Sequence, residues 1–226
     1  MNLLAVETST ELCSVALLRD GELLAEEALA ENRHSGMLVA MVRRVLERGG
    51  LAAGRMDAFA FGQGPGSFTG IRIACGLVQG LAFGAGRPVV AVPSLLALAE
   101  QAGGNRVLAA IDARMGEAYV AAYRRDDGDW DEVLAPQLAS PGAPPRLPDG
   151  RWIATGSGFE RHPWLLDACG ERVERRLQGE LPRASAVAQV AARRFARGGG
   201  VAAERAAPLY LRDKVALTTE ERRDRR

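Results

Sequence analysis

The chain has 226 residues, 47% of them hydrophobic and 25% charged, with a net charge of +1, enough to bury a sizeable core in one two-lobed unit or two small domains. Residues 1–170 carry 15 basic and 20 acidic side chains (net −5) and residues 171–226 carry 14 and 8 (net +6), an asymmetry too mild for an autonomous nucleic-acid footprint. Cys13, Cys75 and Cys169 are odd in number and widely spaced, which argues against a disulfide frame or zinc site and for free thiols in a reducing compartment, the cytoplasm. The opening MNLLAVETS lacks a basic flank and reaches Glu7, so it reads as a strand rather than a signal peptide. Residues 3–6, 12–18 and 23–28 read as a β-meander, the last two strands joined by a short turn at Arg19, Asp20 and Gly21. Met37, Leu38, Met41, Val42, Val45 and Leu46 then recur at helical spacing, and Gly49 and Gly50 form the stop.

A strand over 57–61 leads into GQGPGSFTGIR, residues 62–72, and then a helix over about 71–84. A loop this rich in glycine brings backbone N–H groups against an anion or against another backbone. A P-loop needs Gly-Lys followed by Ser or Thr, yet Lys214 is the sole lysine of the chain. A Walker-type ATPase and a lysine Schiff-base enzyme are therefore both disfavoured. The helix after the loop is apolar nearly all round and should be covered on most of its circumference. Its longest apolar run, residues 73–85, is interrupted by Gln79 and is too short to span a bilayer.

Residues 89–92 read as a short strand, and Ser94 as the N-cap of a helix to Gln101. Beyond Gly103 and Gly104, residues 107–111, Asp112, a turn and residues 117–123 repeat the opening plan of strand, acidic residue, turn and strand, an internal duplication. A hairpin tip at 126–129 and a proline-rich stretch over 136–148 read as loops. Residues 152–155 form another strand, residues 184–197 an alanine-rich helix ended by three glycines, and the end from about residue 218 a mobile charged tail. The division that follows is an N-terminal lobe over 1–102, a C-terminal lobe over 103–217 and the tail over 218–226.

Three groupings bear on chemistry. Glu7, Thr8 and Ser9 at the end of the first strand, with Asp112 at the matching place, put carboxylates and hydroxyls where a phosphate or metal-bound water could sit; turns capped by their own hydroxyls explain the same residues. His34 and His162 are the only histidines, and Leu38 stands one turn after His34, so a His-x-x-x-His metal pair is absent. His34 reads as a solvated or capping residue and His162 as a loop residue. Gly76, Gly80 and Gly84 share one helix face, each costing about 1 kcal/mol of helix propensity against alanine. Such a face suits another helix at close range, within this protein or from a partner; two methionines in the preceding helix favour the partner.

The segments VETSTELCSVAL, GQGPGSFTGIRIACGLVQGLA, VLAAIDARMGEAYVA and PLYLRDKVA resemble the TsaB (YeaZ) family of bacterial tRNA threonylcarbamoyladenosine biosynthesis proteins. The resemblance implies an α/β fold of the actin, Hsp70 and sugar-kinase type, two lobes of duplicated β-meander plus helices. It implies a non-catalytic partner of TsaD, the subunit that transfers threonylcarbamoyl to the adenosine beside the anticodon of tRNAs reading codons that begin with A. It also implies that TsaE, an ATPase, joins the pair, that ATP or ADP belongs to the assembly rather than to this chain alone, and that tRNA is met only within the complex. No metal and no membrane are implied. The docking residues would be Leu38, Met41, Val42, Val45, Leu46, Ile73, Gly76, Leu77 and Gly80, and the same face would support a homodimer. Residues that could face a nucleotide or phosphate are Glu7, Thr8, Ser9, Gly64, Gly66, Ser67 and Asp112; Glu7 stands where many relatives have aspartate. The alternative is an autonomous ATP-dependent phosphotransferase of the same fold using Glu7, Asp112 and residues 64–69. An endopeptidase, after the superfamily's old glycoprotease label, needs a metal that two lone histidines are ill placed to hold.

Overall fold

The computed structural model describes residues 1–30 and 34–212. Lys214 and the charged tail expected from residue 218 lie outside the described residues. The meander forms as β1 (Asn2–Glu7), β2 (Leu12–Arg19) and β3 (Glu22–Leu29). Asp20 (φ 50°) and Gly21 (φ 90°) are both left-handed, the two-residue turn whose twist matches the paired strands. The period of two along β1 feeds both faces of the sheet: Leu3 and Ala5 enter one apolar core, Leu4 and Val6 another.

Helix α1 (His34–Arg48) covers the second face through Leu38, Met41, Val42 and Val45, the i, i+3, i+4, i+7 stripe of an amphipathic helix. It stops where Gly50 takes φ 63° and Leu51 N–H reaches back to the Leu46 carbonyl. Strand β4 (Ala58–Gly62) lies parallel to β1, and β5 (Val89–Val92) parallel to β4. Between them runs α2 (Phe68–Ala85), three residues longer at its start than expected because Ser67 caps it, its hydroxyl accepting from Gly70 N–H. At 18 residues α2 is long and apolar enough to cross a membrane by length and composition, but Ile71, Ala74, Cys75, Val78 and Ala82 are buried within the lobe. Helix α3 (Ser94–Ala102) begins at Ser94 itself. Pro93 holds the N-cap place, which frees the Ser94 hydroxyl for another use.

The second sheet repeats the first. Its strands are β6 (Arg106–Arg114), β7 (Glu117–Asp126), β8 (Asp129–Ala139), β9 (Trp152–Thr155) and β10 (Val173–Arg176). The order β3-β2-β1-β4-β5 of the first becomes β8-β7-β6-β9-β10 in the second, with two antiparallel and two parallel pairings in matching places. The duplicated α/β fold expected from the sequence is thus present strand for strand. Pro136, expected in a loop, lies in β8; β8 is an edge strand whose register slips between Leu134 and Gln137, a place that tolerates a residue with no N–H.

Short helices α4 (Gly158–Arg161) and α5 (Pro163–Cys169) link β9 to β10, and α6 (Ala184–Ala196) follows. Helix α6 returns to the first sheet, packing on β1, β2, β4 and β5. Its first N–H is satisfied by the Ser14 hydroxyl of β2 at 2.8 Å. Ala184, Ala188 and Ala191 of α6, with Ala97 and Ala99 of α3, sit in one core with Ala5 of β1 and Ala109 of β6. Side chains this small let both helices fit between the two sheets, so the lobes share a core as well as a boundary.

Candidate functional site

The glycine-rich loop presses its backbone onto the end of β1. Ser67 N–H donates to the Ser9 carbonyl at 2.7 Å, and the Thr8 hydroxyl donates to the Gly70 carbonyl at 2.8 Å. A Cβ would come within 2.3 Å of the Ser9 carbonyl at Gly66, 2.0 Å of the Thr8 carbonyl at Gly70 and 1.7 Å of a Glu7 carboxylate oxygen at Gly62. Glycine is required at Gly66 and Gly70 because main chain approaches main chain, and at Gly62 because the Glu7 carboxylate fills the place of a side chain. Of the two uses the sequence left open, contact with another backbone is the one these distances describe.

Glu7 is fully buried. Its Oε1 accepts from Ser9 N–H at 2.6 Å and its Oε2 from the Ser94 hydroxyl at 2.7 Å, while Ser94 Oγ also accepts from Gly64 N–H. Burial pushes the carboxyl above its usual range, and the bonds from Ser9 and Ser94 only partly offset this. Glu7 therefore ties β1, the loop and α3 together from inside. Thr8 is likewise buried, and neither it nor Glu7 nor Gly64 lines the cleft between the lobes.

That cleft encloses about 690 Å³, within the size range of small-molecule sites. Ser9, Gly66 and Ser67 line it from the first lobe and Asp112, Arg114, Ser157 and Arg161 from the second. Asp112 is already engaged: its Oδ1 accepts from Arg114 N–H at 2.8 Å and lies 2.9 Å from His162 Nε2, and its own N–H donates to Ser157 Oγ. Burial raises its pKa, but the Arg114 N–H and the His162 ring outweigh burial and leave it below the usual carboxylate range. A Mg-nucleotide held by one carboxylate from each lobe does not fit these residues. Glu7 is fully buried and does not line the cleft, and Asp112, which does, has its Oδ1 bonded to the turn and the histidine and its Oδ2 3.8 Å from Arg114 Nε. Among the described residues no three His, Cys, Asp or Glu side chains converge on a point that could hold a metal ion.

His34 differs from expectation: it is buried, with Nε2 2.9 Å from the Thr10 carbonyl, and so anchors the β1–β2 turn. His162 lies, as expected, outside regular structure, in the link between α4 and α5, and is buried there against Asp112. The sequence offers no signal for that pair, because its members are 50 residues apart.

Of the residues expected to dock, Leu38, Met41, Val42 and Val45 are core residues, at most 5% exposed, and Leu46, Ile73 and Leu77 are half-buried. What α2 turns outward is Gly76, Gly80 and Gly84, with nothing within 4 Å of the place a Cβ would occupy, beside Phe83 at 78% exposure. On the neighbouring α1 the exposed residues are Ser35, Gly36, Val39 and Ala40 in its first half and the charged Arg43, Arg44, Glu47 and Arg48 in its second. On this side α2 is left uncovered by the described residues: a Cβ at any of the three glycines would have nothing within 4 Å among them.

Residues 27–152 match the family model described as TsaD: tRNA N6-adenosine threonylcarbamoyltransferase. The chain is 41% identical to the tRNA threonylcarbamoyladenosine biosynthesis protein TsaB of Escherichia coli, over 96% of each chain, and 37% identical to that of Haemophilus influenzae over 95% of each. Among solved structures it resembles YeaZ from Pseudomonas aeruginosa (TM-score 0.84, 40% identity, 93% of this chain and 99% of that one). A second structure, described as an uncharacterized protein with similarity to peptidase YEAZ from Pseudomonas aeruginosa, gives a TM-score of 0.85 at 42% identity with the same coverage. A shared fold, a shared sequence and near-complete coverage on both sides agree, and the chain belongs to the TsaB (YeaZ) family.

Proposed function

We propose that this chain is a non-catalytic subunit for threonylcarbamoyladenosine formation beside the anticodon of tRNA, acting by docking onto and activating the related transferase TsaD together with the ATPase TsaE. The observation that carries the reading is the outward face of α2, where three glycines stand in line beside an exposed phenylalanine. A helix gives up propensity at such positions when a second helix must come close. The docking residues are then Ile73, Gly76, Leu77, Gly80 and Phe83 of α2 with Val39 of α1 and the half-buried Leu46 behind them. The names of the curated relatives supply the pathway. The engaged carboxylates of Glu7 and Asp112 favour a subunit that leaves transfer and nucleotide turnover to its partners.

The same face pairs two copies when TsaD is missing; tRNA, ATP and ADP are met in the assembly, in the cytoplasm. A stable interface of this kind covers roughly 800 Å² on each partner. The test is co-purification with the TsaD of the same organism, with sizing and a threonylcarbamoyl-transfer assay on tRNA. Leu77→Glu should abolish both complex and transfer while the variant keeps its circular dichroism and melting temperature. A complex that survives the change moves the interface elsewhere, and transfer by this chain without TsaD overturns the non-catalytic reading.

A further inference from the structure

The segment after α6 crosses from one lobe to the other. Val201 pairs with Val89 of β5, and Ala203 and Ala206 are buried against the first lobe. The Ala206 carbonyl accepts from Gln79 Nε2 at 2.9 Å and from Cys75 Sγ at 3.6 Å, both on α2. Up to this point the segment is part of the first lobe's core.

Beyond Ala206 the character changes. Residues 207–212 have no regular structure; part-buried Leu211 packs against the core shared by the two sheets, and polar contacts hold the segment at three places. Leu209 N–H donates to the Gln63 carbonyl at 2.7 Å. Arg72 Nε donates to the Tyr210 hydroxyl at 2.7 Å, with the Arg72 guanidinium 3.5 Å above the Phe68 ring. Arg212 then leaves the first lobe altogether: one guanidinium nitrogen donates to the Glu117 carboxylate and another lies 3.7 Å from Met115 Sδ. Both receiving residues flank the β6–β7 turn, and residues 209–212 form one side of the cleft.

We propose that residues 207–212 are a latch across the mouth of the cleft, hinged after Ala206 and fastened to the second lobe at Glu117 and Met115, which opens while both lobes stay folded. The inference is independent of the docking face. A segment held by a few polar contacts, one ring contact between Phe68 and Tyr210 and one part-buried leucine, Leu211, opens at a smaller free energy than the core it leaves. The anchor at Ala206 is apolar and buried, whereas the fastening at Arg212 is an ion pair with a sulfur contact, so the weak point lies at the second lobe. Opening widens the cleft on the side of Gly66 and Phe68 and frees Arg72 from Tyr210.

Hydrogen exchange read by mass spectrometry on the full chain tests this, with native thiols as a second readout. Cys75 lies under Ala206, and Cys13 and Cys169 are buried in the first and second lobes. In Arg212→Ala, exchange over residues 207–212 should rise at least tenfold, with no change in β1, β2 or β4 and no gain in maleimide labelling of the three cysteines. Exchanging the two charges, Arg212→Glu with Glu117→Arg, should restore the protection. Unchanged exchange over 207–212 in Arg212→Ala overturns the fastening. A rise that spreads through β1 and β4, or exposes Cys75 together with Cys13, shows that the segment belongs to the global fold and overturns the latch. A charge exchange that restores nothing removes Glu117 as the keeper and overturns it too.

Discussion

Two buried glutamates carry opposite pH dependences. Glu7 has its pKa raised by burial: its contribution to stability is complete below the ordinary value of 4.5 and is lost as pH rises through the raised folded value. Glu7→Gln keeps an acceptor for Ser9 N–H and carries no charge, so it should gain stability over the parent as pH is raised, read by urea unfolding at pH 6 and pH 9. Glu7→Ala leaves that N–H orphaned beside a cavity and should cost about 3 kcal/mol at low pH, the cost shrinking as pH rises and the parent itself loses the contribution of Glu7. Glu100 is the converse. Burial would raise it, but bonds from Arg193 and Trp130 and the charges of Arg193 and Arg125 outweigh burial and lower it. Its contribution is complete above 4.5 and lost as pH falls through the lowered folded value. Glu100→Gln should therefore cost about 2 kcal/mol at pH 7, the gap to the parent closing as pH is taken down towards 3. The sequence marked Glu7 by its place at a strand end but gave no sign that it faces inward. Ser94, 87 residues away, makes that orientation affordable, and such a partner is visible only once β1 and α3 are side by side.

At the scale of elements, the glycines divide into two kinds that substitution separates. Gly66→Ala drives a Cβ to within 2.3 Å of the Ser9 carbonyl and should destabilise the chain by 2 kcal/mol or more, to order of magnitude. Gly76→Ala with Gly80→Ala meets open space and should stabilise the isolated chain by about 1–2 kcal/mol. If the docking reading holds, the same double change weakens TsaD binding at least tenfold. Chemical denaturation and a binding titration on one preparation give both numbers. Val42→Glu and Leu77→Glu make a second contrast: Val42 is 5% exposed and its change should unfold the chain, whereas the half-buried Leu77 should tolerate it. The helices and their apolar stripes were legible in the sequence, as were the meander and the glycine loop. Which stripe faces the sheet was not. An amphipathic pattern looks the same over a core and at an interface, so it does not tell that Leu38, Met41, Val42 and Val45 are buried within the lobe. Helix α5, at seven residues, is too short to show a period, and β10, Val-Glu-Arg-Arg, lacks the apolar run that marks the equally short β5 and β9.

For the molecule as a whole, the repeat in the sequence was enough to indicate two lobes of one plan, since the acidic strand ends Glu7 and Asp112 fall at matching places in β1 and β6. It did not indicate how the lobes interlock. Helix α6 contributes Val187, Ala188 and Val190 to the core shared by both sheets, and Ala203 and Ala206 help to complete the first lobe's other core. A fragment of residues 1–102 should therefore fail to fold alone, and the full chain should unfold in urea as one transition with coincident circular dichroism and tryptophan fluorescence. Two separate transitions, or a fragment with dispersed amide resonances, would contradict this.

The return of residues 184–206 to the first sheet also constrains how the protein is made. The ribosome releases β5 at residue 92, yet the alanine helix that seals this sheet is more than ninety residues further on. At about 5–20 residues per second, the nascent first sheet waits roughly 6–23 s between synthesis of β5 and of Ala206, with Leu3, Ala5 and Val90 uncovered. Over that interval the unfinished chain is a client for chaperones, and slowing translation between β5 and α6 should lower the yield of soluble protein more than slowing it after Arg212.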